Sequence, residues 1–205
     1  MLTILRYVED APKKPTDFVR VLGVSWPDTL QVTLKKIGEN NNITFKINNC
    51  DQLKKNRGEI SGADRLEWDV LMSYEADCKA MEVIANMTQS KITFVNELTP
   101  RDYIYDLSLV KIESKYSQVE NFFSGLEYEE YTDSCLGKYN CKFETLNDEY
   151  AFYILAFGDY DNDGIEDVLF RVRDDYKQGS GNLSLIFIGT KLSHNAPFTL
   201  VKVLE

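Results

Sequence analysis

The sequence from residue 157 to residue 170 reads Phe157-Gly158-Asp159-Tyr160-Asp161-Asn162-Asp163-Gly164-Ile165-Glu166-Asp167-Val168-Leu169-Phe170. Acidic residues alternate through its first half, and the residues on either side are typical of β-strands. Alternate carboxylates in a loop that curls round a point can face one centre. Ca²⁺ takes six to eight oxygen ligands at roughly 2.3 to 2.6 Å. The segment therefore predicts a strand, a cation-binding loop and a second strand.

The loop supplies five predicted ligands. They are the side chains of Asp159, Asp161, Asp163 and Asp167 and the backbone carbonyl of Ile165. Gly164 provides the sharp turn that lets this carbonyl point inward. An EF-hand would need a bidentate acid at the twelfth position, where Phe170 stands, so Asp167 at the ninth position has to complete the cage. We expect Ca²⁺ rather than Mg²⁺, because Mg²⁺ dehydrates reluctantly and keeps its waters.

The alternative is a metal-free acidic turn. Carboxylates about 5 Å apart repel by roughly 3 kcal/mol per pair at an effective dielectric constant near 20. A solvated loop has no need to bear this cost, and a bound cation removes it. The charge pattern therefore favours a bound metal, and a closed site of this kind would be structural.

The segment 157–170 resembles the calcium loop of the FG-GAP or VCBS type. In that family a strand enters, an aspartate loop turns and a hydrophobic strand leaves, as Phe157-Gly158 and Asp167-Val168-Leu169-Phe170 do here. The resemblance implies bound calcium. It covers one loop only, so the propeller of repeated blades in which the family usually occurs is not implied.

Outside the loop, the patterns predict both strands and helices. Alternating residues predict a hairpin from Leu30, Val32 and Leu34 and from Ile43, Phe45 and Ile47, and later strands at Ala151 to Phe157, Asp167 to Arg173, Asn182 to Ile188 and Phe198 to Leu204. Ser61-Gly62-Ala63-Asp64 resembles a capping box before a long helix that runs to about Met87, with Leu66, Val70, Tyr74, Cys78, Met81 and Ala85 at helical spacing. A shorter helix is predicted over Tyr116 to Leu126, and Ile92 to Val95 is a short strand candidate.

These elements predict an α+β fold, an antiparallel β-sheet of hairpins packed with one long and one shorter helix, with the calcium loop inserted. Length and composition give no reason to divide the chain, so we expect a single domain over 1–205. Within it, residues 1–26 form an irregular arm, 27–126 the hairpin with the helices, and 127–205 a β-rich part with the calcium loop.

The four cysteines are Cys50, Cys78, Cys135 and Cys141. Their spacing lacks the close pairs that a zinc site needs. Two disulfides are expected: one from the long helix to the end of the early hairpin, and one that pins a small loop between Cys135 and Cys141. Four unrelated buried thiols are the alternative. Disulfides indicate an oxidising compartment.

The formal net charge is -10. No basic block can neutralise phosphates, so we expect no nucleic-acid partner, and a basic protein would be a better one. No apolar run is long enough to span a membrane. The segment Met1 to Arg6 does not have the pattern of a signal peptide. We therefore expect a mature exported protein, periplasmic or alternatively extracellular.

Catalysis is not expected. The single histidine, His194, stands in a turn, and no nucleophile elbow, phosphate-binding glycine loop or HExxH motif occurs. The segments 49–53 and 74–80 resemble small Gram-negative periplasmic proteins, some of which are immunity proteins. The resemblance implies an inhibitor of an antibacterial toxin, and the acidic net charge favours a basic one. The alternatives are a calcium-dependent surface or glycan-binding module, with Tyr160 and Tyr176 as candidates, and a carboxylate-based cell-wall hydrolase.

Overall fold

The computed structural model describes residues 19, 22–26, 30–35, 42–59, 65–95, 132–135, 139–144, 148–176 and 182–204. The chain divides into two compact units, Met1–Asn86 and Met87–Glu205. The first holds helices and a hairpin, and the second holds a large sheet. The single-domain organisation expected from length stays a prediction.

In the first unit, strands β1 (Leu30–Lys35) and β2 (Asn42–Ile47) pair antiparallel. The register runs from Leu30 opposite Ile47 to Lys35 opposite Asn42. This pairing confirms the predicted hairpin. Helix α1 (Cys50–Asn56), a 3₁₀ turn (Arg57–Glu59) and helix α2 (Arg65–Asn86) follow.

Helix α1 was not predicted from the sequence. Its N-cap is Asn49, whose side chain accepts a hydrogen bond from Gln52 N–H at 2.8 Å. The Gln52 side chain reaches back to accept from Asn48 N–H at 3.1 Å. These reciprocal bonds satisfy backbone donors that the first turn of a helix leaves without partners.

Helix α2 lies within the predicted long helix and ends at Asn86. Cys78 and Met81 are buried as expected from the periodicity. Val70, which the same periodicity assigned to the apolar face, is 44% exposed, and its neighbour Leu71 is fully buried instead. The buried stripe is therefore rotated by one residue at the start of the helix. The predicted capping box at residues 61–64 and the helix at 116–126 lie outside the described residues.

A disulfide joins Cys50 to Cys78, with 5.5 Å between the two Cα atoms. It connects the first turn of α1 to the buried side of α2. Leu53, one turn further along α1, is 2% exposed. The bridge predicted between the end of the hairpin and the long helix is confirmed.

The second unit contains a six-stranded antiparallel sheet in which every strand pairs with the next one along the chain. The strands are β3 (Thr132–Cys135), β4 (Asn140–Glu144), β5 (Asp148–Gly158), β6 (Asp167–Tyr176), β7 (Asn182–Thr190) and β8 (Thr199–Leu204). The four late strands lie where the alternating pattern predicted them. With the helices of the first unit, this sheet confirms the α+β class.

Strands β3 and β4 were not predicted from the sequence, whereas the expected bridge between Cys135 and Cys141 is confirmed. Cys135 and Cys141 are bonded to each other and stand directly opposite in the β3–β4 register. The bridge therefore staples a hairpin. On β4, buried Cys141 and Phe143 alternate with exposed residues, which is the burial pattern of a strand with one buried face.

Four phenylalanines form the centre of the sheet's core. Phe170 stacks between Phe152 and Phe187, with ring centroids 4.9 and 5.1 Å away, and Phe198 packs against it at 6.0 Å. All four are fully buried. Gly189 makes room for the Phe198 ring, because a Cβ there would overlap the ring and lie 2.9 Å from the Thr199 carbonyl oxygen.

No helix among the described residues has both the length and the apolar character needed to cross a membrane.

The two disulfides close loops of different length, with sequence separations of 28 and 6 residues. Restriction of the unfolded chain predicts that replacing Cys50 and Cys78 with alanine lowers the free energy of unfolding by about 3.6 kcal/mol, against about 2.2 kcal/mol for Cys135 and Cys141. Urea unfolding of the two double variants measures both losses. An equal or larger loss for the second pair contradicts the prediction.

The contact at Gly189 predicts that Gly189→Ala lowers the free energy of unfolding by about 1 to 3 kcal/mol, because the added methyl group overpacks the core. Gly58→Ala is the matched control, since nothing lies within 4 Å of a Cβ at that position. Urea unfolding compares the two variants. Equal stability of both would show that the Phe198 ring moves aside without cost.

Candidate metal centre

The aspartate loop is held at its base by the β5–β6 pairing. Strand β5 ends at Gly158 and β6 begins at Asp167, and these two residues stand opposite each other in the register. Asp159 therefore follows directly on one strand, and Asp167 opens the other. The hairpin brings the first and last predicted side-chain ligands together at the mouth of the loop.

Three carboxylates converge in this loop. One oxygen from each of Asp159, Asp161 and Asp167 lies within 4.8 Å of the other two. Asp159 and Asp167 are buried, with 4% and 1% of their surface exposed, while Asp161 is exposed. Two of the three carboxylates are thus shielded from water, and the third is exposed to it. The cluster can hold a metal ion.

Hydrogen bonds fix one oxygen of each carboxylate. Asp159 Oδ2 accepts from Gly164 N–H at 2.9 Å, and Asp167 Oδ2 accepts from Tyr160 N–H at 2.7 Å. Asp161 Oδ1 accepts from Asp163 N–H at 3.2 Å. The backbone of the loop therefore orients all three carboxylates.

The Asp159 Oδ1 atom is buried and has no hydrogen-bond partner among the described residues. A buried acceptor without a partner costs about 1 to 3 kcal/mol, and more when it carries charge. A cation in the cluster would satisfy this oxygen. This buried, unpartnered oxygen distinguishes the site from an ordinary acidic turn.

The remaining two predicted ligands are the side chain of Asp163 and the backbone carbonyl of Ile165. Asp163 is exposed, and its Oδ1 accepts from Ile165 N–H at 2.7 Å, which closes a tight turn. Asp163 is not among the three converging carboxylates. Coordination by Asp163 and by the Ile165 carbonyl therefore stays a prediction.

The sharp turn expected at Gly164 is confirmed. Gly164 has φ of 88°, and Asn162 two residues earlier has φ of 66°. Both values lie in the left-handed region, which glycine enters without steric cost and which asparagine tolerates better than most residues. These two residues curl the loop so that Gly164 N–H meets Asp159.

Burial raises the pKa of the Asp167 carboxyl above its ordinary value. The hydrogen bond from Tyr160 N–H acts in the opposite direction, and the negative charges of Asp161 and Asp163 raise the pKa further. Without a cation, the ionised form of Asp167 is therefore disfavoured. A bound cation favours the ionised form and would reverse this shift.

A segment that sequence reasoning did not connect with the site runs along the loop. Thr88 exchanges two backbone hydrogen bonds with Asp159, each 2.9 Å long, and Ile92 forms a parallel bridge with Ile165. The strand candidate at Ile92 to Val95 is thus reduced to one bridge. More than 70 residues separate the partners, so no local pattern could have indicated this contact.

Three further residues considered from the sequence are His194, Tyr160 and Tyr176. His194 is exposed and packs edge-on against Phe94, with ring centroids 5.0 Å apart. The Tyr160 hydroxyl accepts from Lys202 Nζ at 2.9 Å. The side chain of Tyr176 lies outside the described part of the structure.

Comparisons of the chain with protein-family models, with curated proteins and with solved structures each found no match. The site therefore has to be interpreted from its own geometry.

Proposed function

We propose that this protein is an exported calcium-binding protein that acts by binding another protein. The observation that carries the calcium-binding part is the buried, unpartnered Asp159 Oδ1 beside the carboxylates of Asp161 and Asp167. Hard carboxylate oxygens and an irregular loop suit Ca²⁺, which accepts flexible coordination. Mg²⁺ requires near-octahedral geometry and keeps more of its water.

The two disulfides support an oxidising compartment. Each of the two units contains one bridge, and no described cysteine is free. In the reducing cytosol both bridges would be lost. The periplasm is the proposed location, with the extracellular space as the alternative.

The proposed partner is a basic protein, and the proposed role is inhibition of an antibacterial toxin in the periplasm. A net charge of -10 accelerates encounter with a positively charged partner. The segments 49–53 and 74–80, which carry the resemblance to periplasmic immunity proteins, both contain a cysteine of the Cys50–Cys78 bridge. The resemblance is thus concentrated where α1 is stapled to α2.

One observation favours a second candidate, a calcium-dependent glycan-binding module. Tyr139 and Phe157 are 52% and 36% exposed, and their rings lie 6.2 Å apart at the end of β5 that leads into the loop. Exposed aromatic rings near a cation are one way to hold a sugar. Binding of a glycan that EDTA abolishes would favour this candidate over the protein partner.

Calcium should stabilise the folded protein. With about 1 mM Ca²⁺ and a Kd of about 10 µM, binding adds roughly 2.7 kcal/mol to the free energy of unfolding. For a chain of this size, we expect EDTA to lower the melting temperature by roughly 5 to 10 °C and Ca²⁺ to restore it. Thermal melts in EDTA, Ca²⁺ and Mg²⁺ measure the effect.

Asp159→Asn should abolish the calcium response, because a neutral side chain replaces a buried ligand. We expect its Ca²⁺ affinity to fall by more than about 100-fold, since even residues that only orient metal ligands change affinity by about 10- to 100-fold. Asp51→Asn, at an exposed position of α1, is the matched control and should respond as the unmodified protein does. A calcium response that survives Asp159→Asn rejects the site.

The protein-binding role predicts a stable complex with the product of a neighbouring reading frame, if that product is a basic secreted toxin. The two purified proteins are mixed in Ca²⁺, and complex formation is measured by calorimetry together with inhibition of the toxin. We expect affinity that weakens as salt is raised, because charge contributes to the encounter. Absence of a complex at micromolar concentration contradicts this role and leaves calcium binding intact.

A further inference from the structure

The segment 87–95, here called the strap, follows helix α2 and lies along the aspartate loop. It belongs to the second unit, with the sheet and the loop. Its two ends are buried, with Met87 at 5% exposure and Val95 at 1%. Most of the residues between them are exposed, so the middle of the strap has little apolar contact to hold it.

Backbone hydrogen bonds attach the strap to both sides of the loop. On the β5 side, Thr88 and Asp159 donate to each other's carbonyl oxygens. On the β6 side, Lys91 N–H and Ile92 N–H both donate to the Gly164 carbonyl, at 2.9 and 3.1 Å. The Ile92 carbonyl in turn accepts from Glu166 N–H at 2.8 Å. The backbone partners of the strap are therefore Asp159, which is itself a candidate ligand, and Gly164 and Glu166, which flank Ile165.

Side-chain hydrogen bonds also connect the strap to the loop. Glu166 accepts from Ser90 Oγ at 3.1 Å with one carboxylate oxygen and from Thr93 Oγ1 at 2.6 Å with the other. Gly158 permits the close approach, because a Cβ there would lie 3.1 Å from the Thr88 carbonyl oxygen. Polar contacts to the loop, rather than apolar burial, thus hold the middle of the strap.

These bonds require the loop to keep its curled shape. Gly164, which receives two of the strap's N–H groups, also donates its own N–H to Asp159 in the carboxylate cluster. Repulsion among the three carboxylates acts to open the loop, and a cation removes that repulsion. The curled conformation of the loop that would bind the cation is therefore also the conformation that binds the strap.

We propose that cation binding in the aspartate loop fastens the strap, so that calcium controls whether residues 87–95 are ordered on the surface of the second unit. This inference rests on the proposed calcium binding and adds its regulatory consequence. Because coupling between two binding events is reciprocal, a strap that is held less firmly lowers the affinity for calcium.

Hydrogen exchange tests the first half of the proposal. In EDTA, the amides of Lys91 and Ile92 should exchange much faster than those of Phe170 and Phe187 in the middle of the sheet, through local opening. At a Ca²⁺ concentration 100 times the Kd, the strap amides should slow by up to about 100-fold. Calorimetry on the same sample measures Ca²⁺ binding directly.

The variant Thr93→Val tests the reciprocal half. It keeps the shape of the side chain and removes the hydroxyl that donates to Glu166, without touching a candidate ligand. Loss of this hydrogen bond should weaken Ca²⁺ binding by about threefold. Thr44→Val, at an exposed position of β2, is the matched control and should bind Ca²⁺ as the unmodified protein does.

The outcomes separate this proposal from the one on which it rests. If Ca²⁺ binds but the strap amides exchange at one rate in EDTA and in Ca²⁺, or slow only as much as those of the sheet, the strap proposal is wrong and calcium binding stands. Equal Ca²⁺ affinities of the Thr93→Val and Thr44→Val variants also overturn it. If calorimetry detects no Ca²⁺ binding, both proposals fall.

Discussion

The organisation of the second unit depends on the convergence of negative charge at the end of the β5–β6 hairpin. Backbone pairing of Gly158 with Asp167 places two buried carboxylates at the mouth of a loop. Their mutual repulsion opposes the same pairing that brings them together. Hydrogen bonds from Tyr160 and Gly164 offset part of this repulsion, and Asp159 Oδ1 still has no partner among the described residues. The hairpin thus carries a cluster of carboxylates that could hold a metal ion.

Much of this arrangement could be predicted from the sequence because its causes are local. The alternation of apolar and polar residues predicted the late strands, including Asp167 to Arg173. The aspartate spacing and Gly164 predicted the curled loop, and helical periodicity placed Cys78 where a bridge to Cys50 is possible. Each of these signals lies within one element or between neighbouring ones.

The rest depended on contacts that a local pattern does not contain. Helix α1 has seven residues, too few to show a period, and only the Asn49 and Gln52 capping pair marks it. Strand β3 (Thr132–Cys135) has no apolar alternation, so its hairpin with β4 was not predicted, although the bridge between Cys135 and Cys141 was. The contact of Thr88 with Asp159 joins residues 71 positions apart, and no pattern in either segment indicates that the two pack together.

The strand order of the sheet has a consequence for how the protein forms. Because each strand from β3 to β8 pairs with its immediate successor, the sheet can grow one hairpin at a time as the chain emerges, with short loops to close at each step. The strap departs from this rule, since it is synthesised well before the loop that receives it. Segment 87–95 can therefore form these hydrogen bonds only after the β5–β6 hairpin has folded. Until then its N–H groups donate to water.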